Sequence, residues 1–243
     1  MKRTERQHLK RNEVQNFTRQ AREVLEAKPR EVTAVAAAVV VIAALAIGYY
    51  AWTQHVQGQA HDMLAQALVI ESARVAPPVA PGGTAVVAPG SYPNEQARSE
   101  AAIAKLKTVA DMYPSTDAGL FARYQQAALL VGTGRAADAI PLYNDVIARA
   151  GDSFYGQVSR LGIAEAHART GQFDQAINDF KELAQRKDGP LPIDGILMHL
   201  GRTYIEAGKK SDAQQTFNRI VEEFPNSPYS GEARQQVDSL KKG

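Results

Sequence analysis

The residues best suited to metal or proton chemistry in this sequence are five histidines, His8, His55, His61, His167 and His199. No two of them stand at the i, i+4 spacing that presents a pair of ligands on one helical face, and HExxH does not occur. His55 and His61 have only Asp62 as a neighbouring carboxylate, too few ligands to hold a metal ion. There is no cysteine, which removes thiolate catalysis, disulfides and Cys-ligated zinc. GxSxG, GxxxxGK(S/T) and GxGxxG are also missing, and Gly189-Pro190-Leu191-Pro192 reads as a loop between helices rather than a phosphate cradle. The expectation is therefore no catalytic residue, no metal, no cofactor and no enzyme. What remains for function is binding, and that depends on the elements that shape a surface.

Charge is the first guide to those elements. The chain of 243 residues carries 28 Lys and Arg against 26 Asp and Glu, close to balance. The first 31 residues hold nine of the basic residues and only five Glu, so the remainder is slightly acidic. Nothing in that remainder offers the basic stripe of a nucleic-acid interface. Val32 to Trp52 is then a run of 21 residues without a charge. At 1.5 Å per residue a helix of this length covers roughly 31 Å, the thickness of a hydrocarbon core. Tyr49, Tyr50 and Trp52 cluster at its end, where amphipathic rings favour the lipid–water boundary. Residues 53–93 carry one basic residue besides histidine, Arg74, so the positive-inside rule puts the N-terminus in the cytoplasm and the C-terminal bulk across the membrane. The long charged lead and the length of the apolar run favour a retained single-pass anchor over a cleaved signal peptide.

Flanking segments are also readable. In the first 28 residues Val14, Phe17, Ala21 and Val24 form one apolar stripe among Arg and Lys, an amphipathic helix for the inner leaflet or a solvated tail that sets topology. Pro29 ends that pattern. Thr53 to Val75 reads as a post-membrane helix, and residues 76–93, with five prolines and three glycines, as a linker to a domain over 94–243.

That domain repeats. Gly134, Gly171 and Gly208 are 37 residues apart, as are Ala139, Ala176 and Ala213, and Tyr143, Phe180 and Phe217. Ala127, Ala164 and Gly201 keep the same step, and one step further back finds Ala102, Leu106 and Val109. Such columns define stacked helix–turn–helix units. The small column lets the first helix approach its partner, and the glycine supplies a left-handed residue past the helix end. The alanine lets the second helix pack tightly, and the aromatic four residues later fills the space between neighbouring repeats. The fold class is all-α: one transmembrane helix followed by a helical-hairpin solenoid.

The column residues resemble the tetratricopeptide-repeat (TPR) family. The last unit is the fullest match, with Leu200, Gly201, Tyr204, Gly208, Ala213, Phe217 and Pro225. The middle unit has His167 where the family has Tyr, and the half unit before the first keeps Ala102, Leu106 and Pro114. The period of 37 exceeds the family's usual 34 by about three residues. The resemblance implies a partner-binding groove lined by first helices: Phe121, Tyr124 and Ala128, then Val158, Leu161 and Glu165, then Gly195, Met198, Arg202 and Ile205. That set is mainly apolar. The Lys and Asn with which some TPR co-chaperones hold C-terminal carboxylates are missing from it. Either the groove is open or a final helix over Ser227 to Leu240 covers several of these side chains.

The whole layout, a basic tail, one span, a helix, a linker and TPR-like units, is similar to the YfgM family of ancillary subunits of the bacterial SecYEG translocon. Asp117 to Ala150 carries that likeness most strongly. It implies an inner-membrane protein with a periplasmic TPR domain, whose partners are translocon components, periplasmic chaperones or exported clients. The ending over residues 222–234 resembles instead the CpoB family of cell-division coordinators and outer-membrane assembly lipoproteins, which lack this anchor. The expected function is a membrane-anchored scaffold for protein–protein interaction, with envelope or cell-division coordination as the alternative.

Overall fold

The computed structural model describes residues 29–76, 89–186 and 189–242. The amphipathic helix expected in the first 28 residues and most of the Pro/Gly-rich stretch lie outside them. The chain divides into two units, Met1–Val56 and Gln57–Gly243. Among the described residues the regular structure is helical, in the order α1 (Pro29–Glu71), α2 (Glu95–Met112), α3 (Asp117–Gly132), α4 (Ala136–Ala150), α5 (Phe154–Arg169), α6 (Phe173–Gln185), α7 (Ile193–Glu206), α8 (Lys210–Glu223) and α9 (Ser230–Lys242).

The helix α1 begins at Pro29, a residue whose fixed φ suits a first helical position. It is long and apolar enough to cross a membrane. Within the first unit its large side chains face outward, with Leu45 69% and Trp52 61% exposed. A helix apolar all round needs a non-aqueous surround or a covering partner. The stretch read as a span and the segment read as a post-membrane helix lie on one unbroken helix that runs to Glu71. Past it the chain turns, and Val75 pairs with Tyr92 through an isolated backbone bridge. Ala76 N–H donates to the Tyr92 carbonyl at 2.8 Å, and Tyr92 N–H to that of Arg74 at 2.8 Å.

Within the second unit the end of α1 is part of the repeat array. Ala60, Leu64 and Ala67, at i, i+4 and i+7, are buried against Leu106, Val109 and Ala110 of α2 and Ala118 and Ala122 of α3. Gln125 Nε2 donates to Glu71 at 2.7 Å, and Arg98 reaches the Ala73 carbonyl at 3.3 Å. The first hairpin is therefore α1 with α2. The stretch expected as a linker is an insertion inside that hairpin, pinned at its base, and the array begins before Asn94.

Three further hairpins follow, α3–α4, α5–α6 and α7–α8, each helix packed on the next, with α3 also touching α5 and α5 touching α7. Two side-chain caps start helices here: Asn94 Oδ1 accepts from Ala97 N at 2.8 Å, and Thr116 Oγ1 from Gly119 N at 3.0 Å. The glycine column ends the first helices. Gly134, Gly171 and Gly208 have φ of 83°, 76° and 72°. Beyond each glycine the next N–H returns to a carbonyl five residues back, Arg135 to Leu130, Gln172 to His167 and Lys209 to Tyr204, at 2.8–2.9 Å. This is one Schellman turn made three times. The core is correspondingly serial, one cluster spanning α1–α3, another centred on α3 and α4, and a third over α5–α9. Stability in such an array is a sum of neighbour contacts.

The aromatic column divides in its packing. Tyr143 lies on Gly162 of the following hairpin, where an added Cβ would stand 2.4 Å from its Cζ. Phe180 stacks on His199 of the following hairpin, with ring centres 5.8 Å apart. Phe217 instead packs on Gly201 of its own hairpin, 2.5 Å from the place of a Cβ. The expectation of inter-repeat filling thus applies to two of these three rings.

Candidate functional site

The first helices α3, α5 and α7 stand side by side and present one continuous face. Its α3–α5 half is aromatic. Phe121 and Tyr124, three residues apart on α3, have ring centres 6.5 Å apart. Phe121 also meets Tyr155 of α5 at 6.1 Å, Tyr155 meets Phe154 at 5.9 Å, and Tyr124 meets Tyr143 at 5.9 Å. Phe154 is 57% exposed, a large apolar side chain held in water.

Between α3, α4 and α5 this half contains a hollow of about 100 Å³, lined among others by Tyr124, Ala128, Val158, Leu161 and Glu165. Five of the expected groove residues are therefore gathered in one place. Burial raises the pKa of the Tyr124 hydroxyl, and the Glu165 carboxylate raises it further. Tyr143 is raised more strongly, by burial first and then by Tyr124 and Glu165. Both phenols stay neutral across the physiological range, and the three ionisable groups are close enough to act on one another.

The α5–α7 half is charged, contrary to the mainly apolar groove expected. A hollow of about 600 Å³ is lined by Glu165, Arg169, His199, Arg202 and Glu206, over a floor that includes Phe173 and Phe180. His199 Nε2 stands 3.5 Å from Glu165 Oε1 while its ring stacks on Phe180. Arg202 pairs with Glu232 of α9 at 2.7 Å.

Two of the expected groove residues are elsewhere. Met198 is 1% exposed, enclosed in the core cluster with Ala233 and Val237 of α9, and lines neither hollow. Gly195 is buried with Tyr229 against it, and the neighbouring Asp194 accepts a 2.6 Å hydrogen bond from Ser227. The final helix and the turn before it cover the start of α7 and leave α3 and α5 clear. Ile205 is half-buried against the same cluster. His199, Phe154 and Tyr155 were missed from the sequence. Only the fact that His199 follows Met198 on the same helix could have signalled the first.

No group of three or more metal-ligating side chains occurs among the described residues. His167, which replaces the family's Tyr, places Nδ1 2.7 Å from Asp179 of α6 and ties the two helices of its hairpin.

The sequence matches the family described as Tetratricopeptide repeat-like domain over residues 30–190, and the Tetratricopeptide repeat over residues 168–237. No curated protein matches the chain. Among solved structures, a putative kinesin light chain of Podosopora anserina with nearly identical TPR-like repeats is similar at 14% identity, with 61% of this chain and 80% of that one covered and a TM-score of 0.52. MamA AMB-1 is 17% identical over 61% of this chain and 74% of that one, at a TM-score of 0.45. A tetratricopeptide repeat protein from Parabacteroides merdae ATCC 43184 is 16% identical over 61% and 56%, at 0.48. Likeness at such identities speaks for the fold alone, and below a TM-score of 0.5 it carries no argument. The family match extends over more than half of the chain and takes in the end of α1 that the core also claims. The chain belongs to the tetratricopeptide repeat-like family.

Proposed function

We propose that the protein is a membrane-anchored scaffold that holds segments of other proteins on the face formed by α3, α5 and α7. In this reading the apolar part of α1 crosses a bacterial inner membrane, the basic N-terminal segment stays in the cytoplasm, and the repeat unit works in the periplasm. Its partners there are translocon components, periplasmic chaperones or the exported chains they handle, the partner set of the YfgM family. The carrying observation is the aromatic half of the face: Phe121, Tyr124 and Tyr155 are partly exposed on neighbouring helices, and beside them Phe154, 57% exposed, is the one Phe, Tyr or Trp ring among the described residues of the repeat unit that stands mostly in water. Exposed rings arranged across neighbouring helices are the usual anchor of a protein partner. A retained anchor is supported by the continuity of α1. Its last turns bury Ala60, Leu64 and Ala67, and no extended segment for signal cleavage lies between them and the apolar stretch.

Photo-crosslinking tests the reading. Probes replacing Tyr124 and Phe154 are expected to trap envelope proteins that a probe at Lys241, on the far end of α9, does not. Equal labelling from all three positions, or none from any, would reduce the protein to an anchored spacer. Adducts with division or outer-membrane assembly proteins would favour the alternative coordination role. Met198 is unsuitable as a probe site because it lies in the core.

A further inference from the structure

We infer that the hollow between α3, α4 and α5 receives the side chain of a lysine from the bound protein segment, with Glu165 pairing the ammonium and the rings of Tyr124 and Tyr143 flanking it. The inference rests on the protein-binding reading of this face and specifies what the face recognises. Its first support is shape. The hollow of about 100 Å³ is walled by two aromatic rings whose centres lie 5.9 Å apart at 51°, while Ala128, Val158 and Leu161 complete an apolar sleeve. A cation held within about 6 Å of a ring centre is attracted by its negative face. A sleeve of this kind suits the four-carbon stem of lysine, whereas the broad guanidinium plane of arginine asks for a flat, open surface.

The second support is charge. Glu165 is the one carboxylate among the residues that line the hollow, and no Lys, Arg or His lines it. Among the described residues it forms no ion pair with Lys or Arg; its neighbour is His199 at 3.5 Å, which is charged only when protonated. Arg169 and Arg202 line the neighbouring hollow together with Glu165, but neither pairs with it, so the half-buried carboxylate keeps an unpaired negative charge beside the two rings.

The third support is hydrogen-bonding capacity. The Tyr124 and Tyr143 hydroxyls make no hydrogen bond with any described residue. The Cζ of Tyr143, which bears the hydroxyl, lies over Gly162, three residues and one helical turn before Glu165. Burial raises both phenol pKa values first and the Glu165 carboxylate adds to each rise, in agreement with that proximity. Two neutral hydroxyls and one carboxylate offer three acceptors, and a primary ammonium carries three donors and no acceptor.

The test uses the full chain in detergent micelles and a labelled nine-residue peptide of Leu and Ala with one central lysine. A second peptide replaces that lysine by norleucine, which keeps the four-carbon stem and lacks the ammonium. The lysine peptide is expected to bind about tenfold more tightly, the value of one desolvated cation–π contact with its ion pair. Glu165→Gln should make the two peptides equal while leaving the melting temperature unchanged, and Tyr124→Leu should narrow the difference. Equal binding of both peptides by the unaltered chain would overturn the lysine site and spare the protein-binding face. Binding of neither would overturn both. Butylammonium alone binding as tightly as the lysine peptide would overturn the assignment to a polypeptide lysine in favour of a free amine.

Discussion

A methyl group on Gly201 would sit 2.5 Å from Phe217 Cε1, closer than real side chains approach, and Phe217 is itself fully enclosed. The sequence pattern asks for a small residue at this point of the first helix; the structure supplies the object that requires it. Gly201→Leu is therefore expected to overpack the α7–α8 hairpin and cost about 1–3 kcal/mol in urea denaturation of the repeat unit. An unchanged midpoint would mean that the ring moves aside freely. Gly162 meets the same constraint from Tyr143 and falls in none of the recurring columns. It went unnoticed in the sequence because the two residues belong to different repeats. Gly119 and Gly156 are a further pair at the 37-residue step, and a side chain at either would meet the carbonyl of the preceding turn at 1.8–1.9 Å.

Among the elements, the end of α1 changes the expected boundary most. In the three later hairpins the small residue of the first helix precedes the alanine of the second by twelve positions, as in Ala127 and Ala139. The Pro/Gly-rich insertion breaks that spacing in the first hairpin, so a search by period finds only its second helix. Side-chain burial restores the missing half through Ala60, Leu64 and Ala67. A fragment beginning at Gln57 is accordingly expected to melt cooperatively as a helical unit. One beginning at Asn94 would expose Leu106, Val109 and Ala118, melt at a lower temperature and bind a hydrophobic dye. Leu64→Ala in the longer fragment should cost about 2–3 kcal/mol. Equal stability of the two fragments would return residues 57–71 to the status of a spacer.

For the whole molecule, the proposed arrangement makes a topological prediction that no internal contact can make. Protease added to intact spheroplasts should degrade the repeat unit and spare the N-terminal segment, since nine basic residues precede the span and few follow it. Protection of the repeat unit would place it in the cytoplasm and remove every periplasmic partner from consideration. Val75 and Tyr92, near the two ends of the Pro/Gly-rich stretch after α1, pair with each other.

The sequence by itself determined the all-helical hairpin array and a helix apolar enough to cross a bilayer. Both are written locally, in a recurring step and in an unbroken run of side chains, and local patterns survive translation into helices almost unchanged. The left-handed glycines at 134, 171 and 208 are the clearest case, since one backbone conformation demands one residue type. Tertiary structure alone decided which side chains stay exposed. Met198 and Tyr124 answer to the same repeat logic, yet α9 shares a core with one and leaves the other half-exposed. It also decided that Glu165 belongs at once to an aromatic hollow and to a charged one, because its neighbours Tyr143 and His199 come from the preceding and the following hairpins. Exposure and electrostatic surroundings are sums over residues distant in the chain, and no period in the sequence records them.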